Sequence, residues 1–319
     1  MRPAHNNETV LVHLASGIGN IVLATPLLAA LNEMGFVVDV LLDADYNQTA
    51  ELFQDWSVVR AVVNDRPRDR DGYSLLVPAV PPFYWKRFER LYARDQRVVR
   101  RPPDQLFYKD EQEYYLAFAR ALGYPAGQKP MYRLPICASE RAGVTCRTLV
   151  IAPGCKTGEM ALKRWPYFAE LAEAFEDVAV VGTADDAQRS DGTAFEFPAH
   201  VRLLLGKLTL RETAEAMASA GAVVGNDSGL CHVAGALGAP TVIIFGPTPS
   251  LTLGKLPPNV VIVRAGLRCE PCWFGERFRA CDKRIDCLRG VGVEDVARVL
   301  RELIGLSRPG SASTDFFPG

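Results

Sequence analysis

AVVGNDSGLCHVAGALGAP, residues 222–240, is the stretch on which the fold turns. Its opening apolar run, ending at Gly225, has the composition of a short buried strand. A helix built of small residues follows from Gly229, with Asp227 or Ser228 in the N-cap position. A helix start presents unpaired N–H groups and the positive end of the helix dipole, and glycine lets a ligand approach the backbone. The corner is therefore suited to a diphosphate held by the amides of Gly229, Leu230 and Cys231. A capped structural helix would carry the same pattern, and His232 reads equally as a phosphate donor or a core histidine.

Outward from this corner, apolar runs alternate with helical patterns. Towards the N-terminus, runs at 10–15, 37–42, 58–63 and 75–80 interleave with helical stretches at 21–31 and 48–53. A helix is expected over 111–122, and the Gly- and Pro-rich stretch 123–135 reads as a linker. A second series follows: strands at 149–152, 178–181, 222–224 and 241–245, helices at 167–175, 210–220 and 229–237, and a last helix at 293–304. Such alternation predicts an α/β fold of two Rossmann-like domains, residues 1–135 and 136–319, facing a cleft at the carboxyl ends of their strands.

The chain has 319 residues, 48% of them hydrophobic and 23% charged, the balance of a folded globule. Lysine and arginine total 36 against 37 acidic residues, so no global charge draws the chain to nucleic acid, and any anion site must be local. The stretch 86–101 is locally basic, with Arg87, Arg90, Arg94, Arg97, Arg100 and Arg101 among aromatic residues. It reads either as an amphipathic helix with a solvated face or as a contact for an anionic acceptor or a lipid headgroup. No long apolar run marks a signal peptide or a membrane helix, which places the protein in the cytoplasm, with contact limited to the inner face of the membrane.

Two further segments carry chemistry. APGCKTGEMALKRWP, residues 152–166, follows a predicted strand; Gly154, Lys156, Thr157 and Gly158 form a donor-rich loop without P-loop spacing. Lys163 and Arg164 could neutralise a leaving diphosphate or be exposed charges ahead of a helix that begins at Pro166. HLASGIGNIVLATPLLAAL, residues 13–31, is a strand, a glycine turn and a helix; it lacks the GxGxxG spacing, and Gly19 and Asn20 would face the cleft from the opposite wall.

Together these segments resemble glycosyltransferase family 9, the ADP-heptose:lipopolysaccharide heptosyltransferases, which have the glycosyltransferase B fold. The resemblance is carried most strongly by residues 225–248, including the Gly-Pro-Thr at 246–248, and by the KRWP at 163–166. It implies an inverting, metal-independent transfer of a heptose from a nucleoside-diphosphate sugar to a glycan or lipid-linked acceptor. The donor site would comprise Lys163, Asp227, Ser228, Gly229 and His232, with Asp185 or Asp186 near the nucleoside. The family carries a Gly-Asp pair in the first turn, its aspartate the presumed general base, where this chain has Gly19-Asn20. An amide oxygen has negligible basicity, so His13, Asp43 or Asp45 would have to serve, Asn20 would only position the acceptor, or the chain would use another acceptor or be inactive. A sugar-nucleotide 2-epimerase of the same architecture and a binding protein without catalysis are the competing readings.

Of eight cysteines, Cys269, Cys272, Cys281 and Cys287 are spaced C-x₂-C-x₈-C-x₅-C. Four thiolates could hold a structural zinc or iron, as such cysteines hold iron in some members of the family, or they could be disulfides or free thiols.

Overall fold

A computed structural model describes residues 7–63, 72–93, 95–156, 158–273, 281 and 285–306. His5, Arg94, Thr157, the tail from 307, and the cysteine-loop residues 274–280 and 282–284 lie outside the described residues.

The first sheet is parallel: β1 (Thr9–Leu14), β2 (Val37–Leu42), β3 (Val59–Val63) and β4 (Leu75–Ala79), in the order β3-β2-β1-β4. Its central strand is buried on both faces, which is why it reads as an unbroken apolar run rather than an alternating one. Between β1 and β2 run α1 (Ile18–Leu23) and α2 (Thr25–Glu33), the latter with Pro26 in its first turn, where a missing N–H costs nothing. After β4 come α3 (Trp85–Tyr92), α4 (Asp104–Phe107) and α5 (Glu111–Ala121). Asp110 caps α5 by accepting from the Glu113 amide.

The second sheet is also parallel, with β5 (Leu149–Ala152), β6 (Val178–Val180), β7 (Arg202–Leu203), β8 (Ala222–Asn226), β9 (Thr241–Ile244) and β10 (Val260–Val263). Their order is β10-β9-β8-β5-β6-β7. α6 (Phe168–Glu173), α7 (Leu210–Ser219) and α8 (Gly229–Ala236) connect them, and the helix Val293–Leu306 closes the described chain. Strand order reverses between β1 and β4 and between β5 and β8, so the loops after β1, β5 and β8 border the crevices where ligands bind in open α/β sheets.

Most expected elements are present, and the differences have local causes. Residues 48–52 belong to a 3₁₀ stretch, Ala44–Leu52, kinked at Tyr46 and capped by Phe53. β10 was not expected: its run of valine and isoleucine is only half-buried, as befits an edge strand. Within the basic stretch α3 is amphipathic, burying Phe88 and Tyr92 while Lys86, Arg87 and Arg90 are exposed. The stretch 123–135 is not a free tether, because Tyr132 and Leu134 are buried and the Leu134 amide donates to the Ala236 carbonyl at 2.9 Å.

One apolar core runs through both halves, taking in α2 and α5 from the first and α7 and α8 from the second. Polar ties reinforce it. Gln112, 1% exposed, donates through Nε2 to the carbonyls of Leu253 (2.5 Å) and Lys255 (3.0 Å). Gln112→Ala should leave both carbonyls short of a donor and cost about 1–3 kcal/mol, read as a lower urea midpoint with an unchanged m-value.

Candidate active site

The second half builds its wall of the cleft around Asn226, fully buried at the end of β8. Its Oδ1 accepts from the Trp165 amide (2.8 Å) and its Nδ2 donates to the Pro153 carbonyl (2.6 Å). One side chain thus fastens the loop after β5 and the KRWP segment to the strand that feeds α8. Lys163 is thereby brought to the corner, where Nζ donates to the Asp227 carbonyl (2.6 Å) and to Asp227 Oδ2 (3.1 Å). His232 Nε2 lies 3.3 Å from Asp227 Oδ1. Burial works against ionisation of Asp227, but the Lys163 ammonium, then His232 and the Thr248 hydroxyl, outweigh it and hold the carboxyl well below its usual range.

Ser228 occupies the N-cap of α8 without a side-chain capping bond, and Asp227, Ser228, Gly229 and Leu230 are half-buried, so this helix start stays open to the cleft. Cys231 is buried and its thiol is pushed up to about 12, first by burial and then by Asp227; it is no nucleophile. Arg164 turns away from the corner, donating to the Gln188 carbonyl (2.8 Å) and pairing with Asp186 (3.4 Å). Asp186 caps Thr183 and fills the space where a Cβ on the buried Gly154 would stand, so the loops after β5 and β6 also meet.

The facing wall is the turn between β1 and α1. Ser16 adopts φ +85°, a conformation that costs a non-glycine residue energy and that tends to persist at functional turns. The bend lets Ser16 Oγ donate to Asn20 Oδ1 (3.0 Å), which aims Asn20 Nδ2 at Glu111 Oε1 (2.5 Å). The two walls touch: a Cβ on Gly19 would stand 2.8 Å from His232 Cδ2, and one on Gly229 would stand 2.8 Å from Ile18 Cβ. Lys156 reaches across to the Tyr46 hydroxyl (2.8 Å).

Glu111 has no counterpart in the sequence reading. It is 6% exposed, and burial first, then the like charges of Asp227 and Asp110, raise its carboxyl to about 7 against the pull of hydrogen bonds from Asn20 and Tyr115. Among the three groups named as substitutes for an aspartate at position 20, His13 is buried against Phe88 with Nδ1 2.6 Å from the Tyr92 hydroxyl. Asp43 and Asp45 pair with Arg87 at 3.2 and 3.4 Å.

Cys272 and Cys287 lie beside the loop 246–248. Cys272 donates its amide to the Pro247 carbonyl (3.0 Å), and the Cys287 thiol is pushed up to about 12 by burial and then by Glu270, Cys272 and Cys269. No disulfide joins the four cysteines of the tetrad, and among the described residues no group of three or more histidine, cysteine or acidic side chains is gathered as metal ligands would be.

Two parallel Rossmann-like sheets meeting at this cleft make a glycosyltransferase B fold. Residues 85–278 match the model of glycosyltransferase family 9 (heptosyltransferase), more than half the chain, and the protein belongs to that family. It is 34% identical over 122 residues to lipooligosaccharide heptosyltransferase 2 of Haemophilus influenzae, a match spanning 35% of this chain and only 35% of that relative. In structure it resembles the Escherichia coli ADP-heptose lipopolysaccharide heptosyltransferase II, with TM-score 0.71 and 21% identity over 93% of this chain and 99% of that one. It also resembles the iron-containing dodecameric glycosyltransferase TibC of enterotoxigenic E. coli, with TM-score 0.63 and 18% identity over 93% of this chain and 76% of that one. No helix among the described residues is long and apolar enough to cross a membrane.

A carboxyl that binds its proton more tightly in the folded state than in the unfolded state makes stability fall as pH rises between the two values, here from about 4.5 to about 7. Glu111→Gln removes that penalty. The variant should exceed the wild type at pH 8 by about 1–3 kcal/mol, with the gap closing towards pH 5, as read by urea denaturation at both pH values.

Proposed function

We propose that the protein is an inverting heptosyltransferase: it moves a heptose from a nucleoside-diphosphate donor, ADP-heptose first among candidates, to a glycan or lipid-linked acceptor of the bacterial surface. On this reading residues 136–319 hold the donor and residues 1–135 the acceptor. The observation that carries it is the Lys163–Asp227–His232 cluster at the open start of α8, in contact with the Gly19–Asn20 turn across the cleft. Family membership and the donor named for the E. coli structural neighbour give it further support.

The donor diphosphate would lie against the amides of Gly229, Leu230 and Cys231, with Gly154 bordering the site and Ser228 at its rim. Lys163 would share its charge between Asp227 and the phosphates. As the anomeric C–O bond breaks, negative charge grows on the departing diphosphate, and fixed dipoles with a held ammonium meet it without a metal ion in the reaction. Asp227 would serve by holding Lys163 and His232 in register. The acceptor would approach from the side of Gly19 and Asn20, opposite the leaving group, which gives inversion.

A 2-epimerase would need a histidine and carboxylates converging on carbon 2 of the sugar. Among the described histidines, His13 is bound to Tyr92 and the exposed His200 to the Phe175 carbonyl, so only His232 stands at the cleft. A binding protein without catalysis is separated by assaying product. The exposed basic residues of α3, beside the half-exposed Phe83, suit a lipid-linked acceptor at the inner face of the membrane.

Calorimetric titration with ADP, UDP, GDP and dTDP should find one preferred nucleotide, ADP, whose binding is lost in Asp227→Ala. Lys163→Ala should reduce turnover about 100-fold in a folded protein; near-normal turnover would take Lys163 out of the site.

The cysteine tetrad is soft-donor chemistry suited to a structural zinc or iron, held by Cys269, Cys272, Cys281 and Cys287. In that role the ion would brace the loop against Pro247 and take no part in transfer. Elemental analysis of purified protein should give close to one zinc or iron per chain, and fully stable metal-free protein would remove the assignment.

A further inference from the structure

The chain lacks a carboxylate at position 20, yet a carboxylate stands 2.5 Å from the side chain that replaces it. Glu111 enters the cleft from the first turn of α5. Its Oε1 takes the Asn20 amide and, at 3.3 Å, the Tyr115 hydroxyl, while among the described residues no donor is bonded to Oε2. Asn20 is itself held from behind by the Ser16 hydroxyl, so the amide has one orientation in which Nδ2 serves Glu111. The neighbouring residue, Gly19, abuts His232 of the donor wall, and Asp227 is near enough to act on the Glu111 charge. The carboxyl group is thus bonded to the turn that abuts the donor corner, and it is the only acid among the described residues bonded to the Gly19–Asn20 turn. Holding a carboxyl group this deep, with like charges from Asp227 and Asp110 facing it and only Asn20 and Tyr115 as donors, is expensive for a merely structural side chain.

We propose that Glu111 is the proton acceptor of the transfer step. This role rests on the heptosyltransferase reading. The acceptor hydroxyl gives its proton to Glu111 Oε2 while its oxygen bonds to the anomeric carbon. The bond from that carbon to the diphosphate oxygen breaks, and the electron pair leaves with the nucleoside diphosphate. Glu111, now neutral, returns the proton to solvent. Asn20 is a positioning residue: its amide steadies the carboxylate and marks where the acceptor hydroxyl lies. A carboxyl that titrates near neutrality is matched to taking a proton at physiological pH.

The experiment uses purified full-length protein with ADP-heptose and a heptose-accepting lipopolysaccharide core. Glu111→Gln keeps the shape and can still accept from Asn20, but has no basicity. Its turnover should fall about 100-fold or more with ADP affinity unchanged. Adding Asn20→Asp to that variant restores a carboxylate at the same place and should recover at least about 10-fold of the loss, which a purely structural role for Glu111 would not permit. Turnover within about 3-fold of wild type in Glu111→Gln, or a loss that Asn20→Asp leaves unchanged, overturns the proposal. Should the wild type itself form no heptosylated product, the heptosyltransferase reading fails on its own. Infrared titration then decides the residue: a carboxyl that protonates near neutral pH and vanishes in Glu111→Gln supports it as a poised acceptor, and a Glu111 still ionised at pH 5 overturns it.

Discussion

The close approach of two helix starts, α1 and α8, governs the rest of the molecule. Each has a glycine where it meets the other, and a Cβ at either position would press into the opposite wall, on His232 from Gly19 and on Ile18 from Gly229. Because the backbones come so near, the turn after β1 and the corner after β8 form one site rather than two separate crevices. The apolar core that continues from α2 and α5 into α7 and α8 is what holds them at this distance. Side chains with bulk at positions 19 or 229 would hold the walls apart and separate Lys163, Asp227 and His232 from Asn20 and Glu111.

Within that narrow space the charges are divided in two. On the wall built by the second half, Asp227 is stabilised as an ion by Lys163 and His232, so its carboxylate is a fixed part of that wall. On the facing wall, Glu111 is destabilised as an ion, with burial dominant and only Asn20 and Tyr115 to soften it. Two carboxyl groups that influence each other across one cleft are therefore pushed in opposite directions by their surroundings, the pattern by which proteins separate structural from proton-transferring acids. The strained φ of Ser16 belongs to the same arrangement, since it places the hydroxyl that orients Asn20.

Legibility in the sequence followed the kind of force involved. Strands buried on both faces, such as β1, β5 and β8, are dictated by runs of apolar residues and were readable as such; so was the helix start at Gly229, because small residues and glycines there have few other uses. Lys163, Asp227 and His232 could be named from the family pattern, and the fold brings them together. Asn226 was not singled out, since a buried asparagine that fastens three segments looks locally like any polar residue at a strand end. Glu111 was missed for a stronger reason: an acid at the first position of a capped helix is ordinary surface chemistry, and only the packing of α5 under α1 makes it a buried one.

The substitution at position 20 and the burial at position 111 are best read as one fact. An aspartate at 20 beside a glutamate at 111 would put two carboxylates at hydrogen-bond distance in a poorly solvated cleft, and one would have to keep its proton. With asparagine at 20 the conflict is gone, because the amide donates where a second carboxylate would repel, and the remaining acid is steadied. The asparagine that departs from the family pattern in the sequence is, in the fold, the hydrogen-bond donor to a single buried carboxylate at this place.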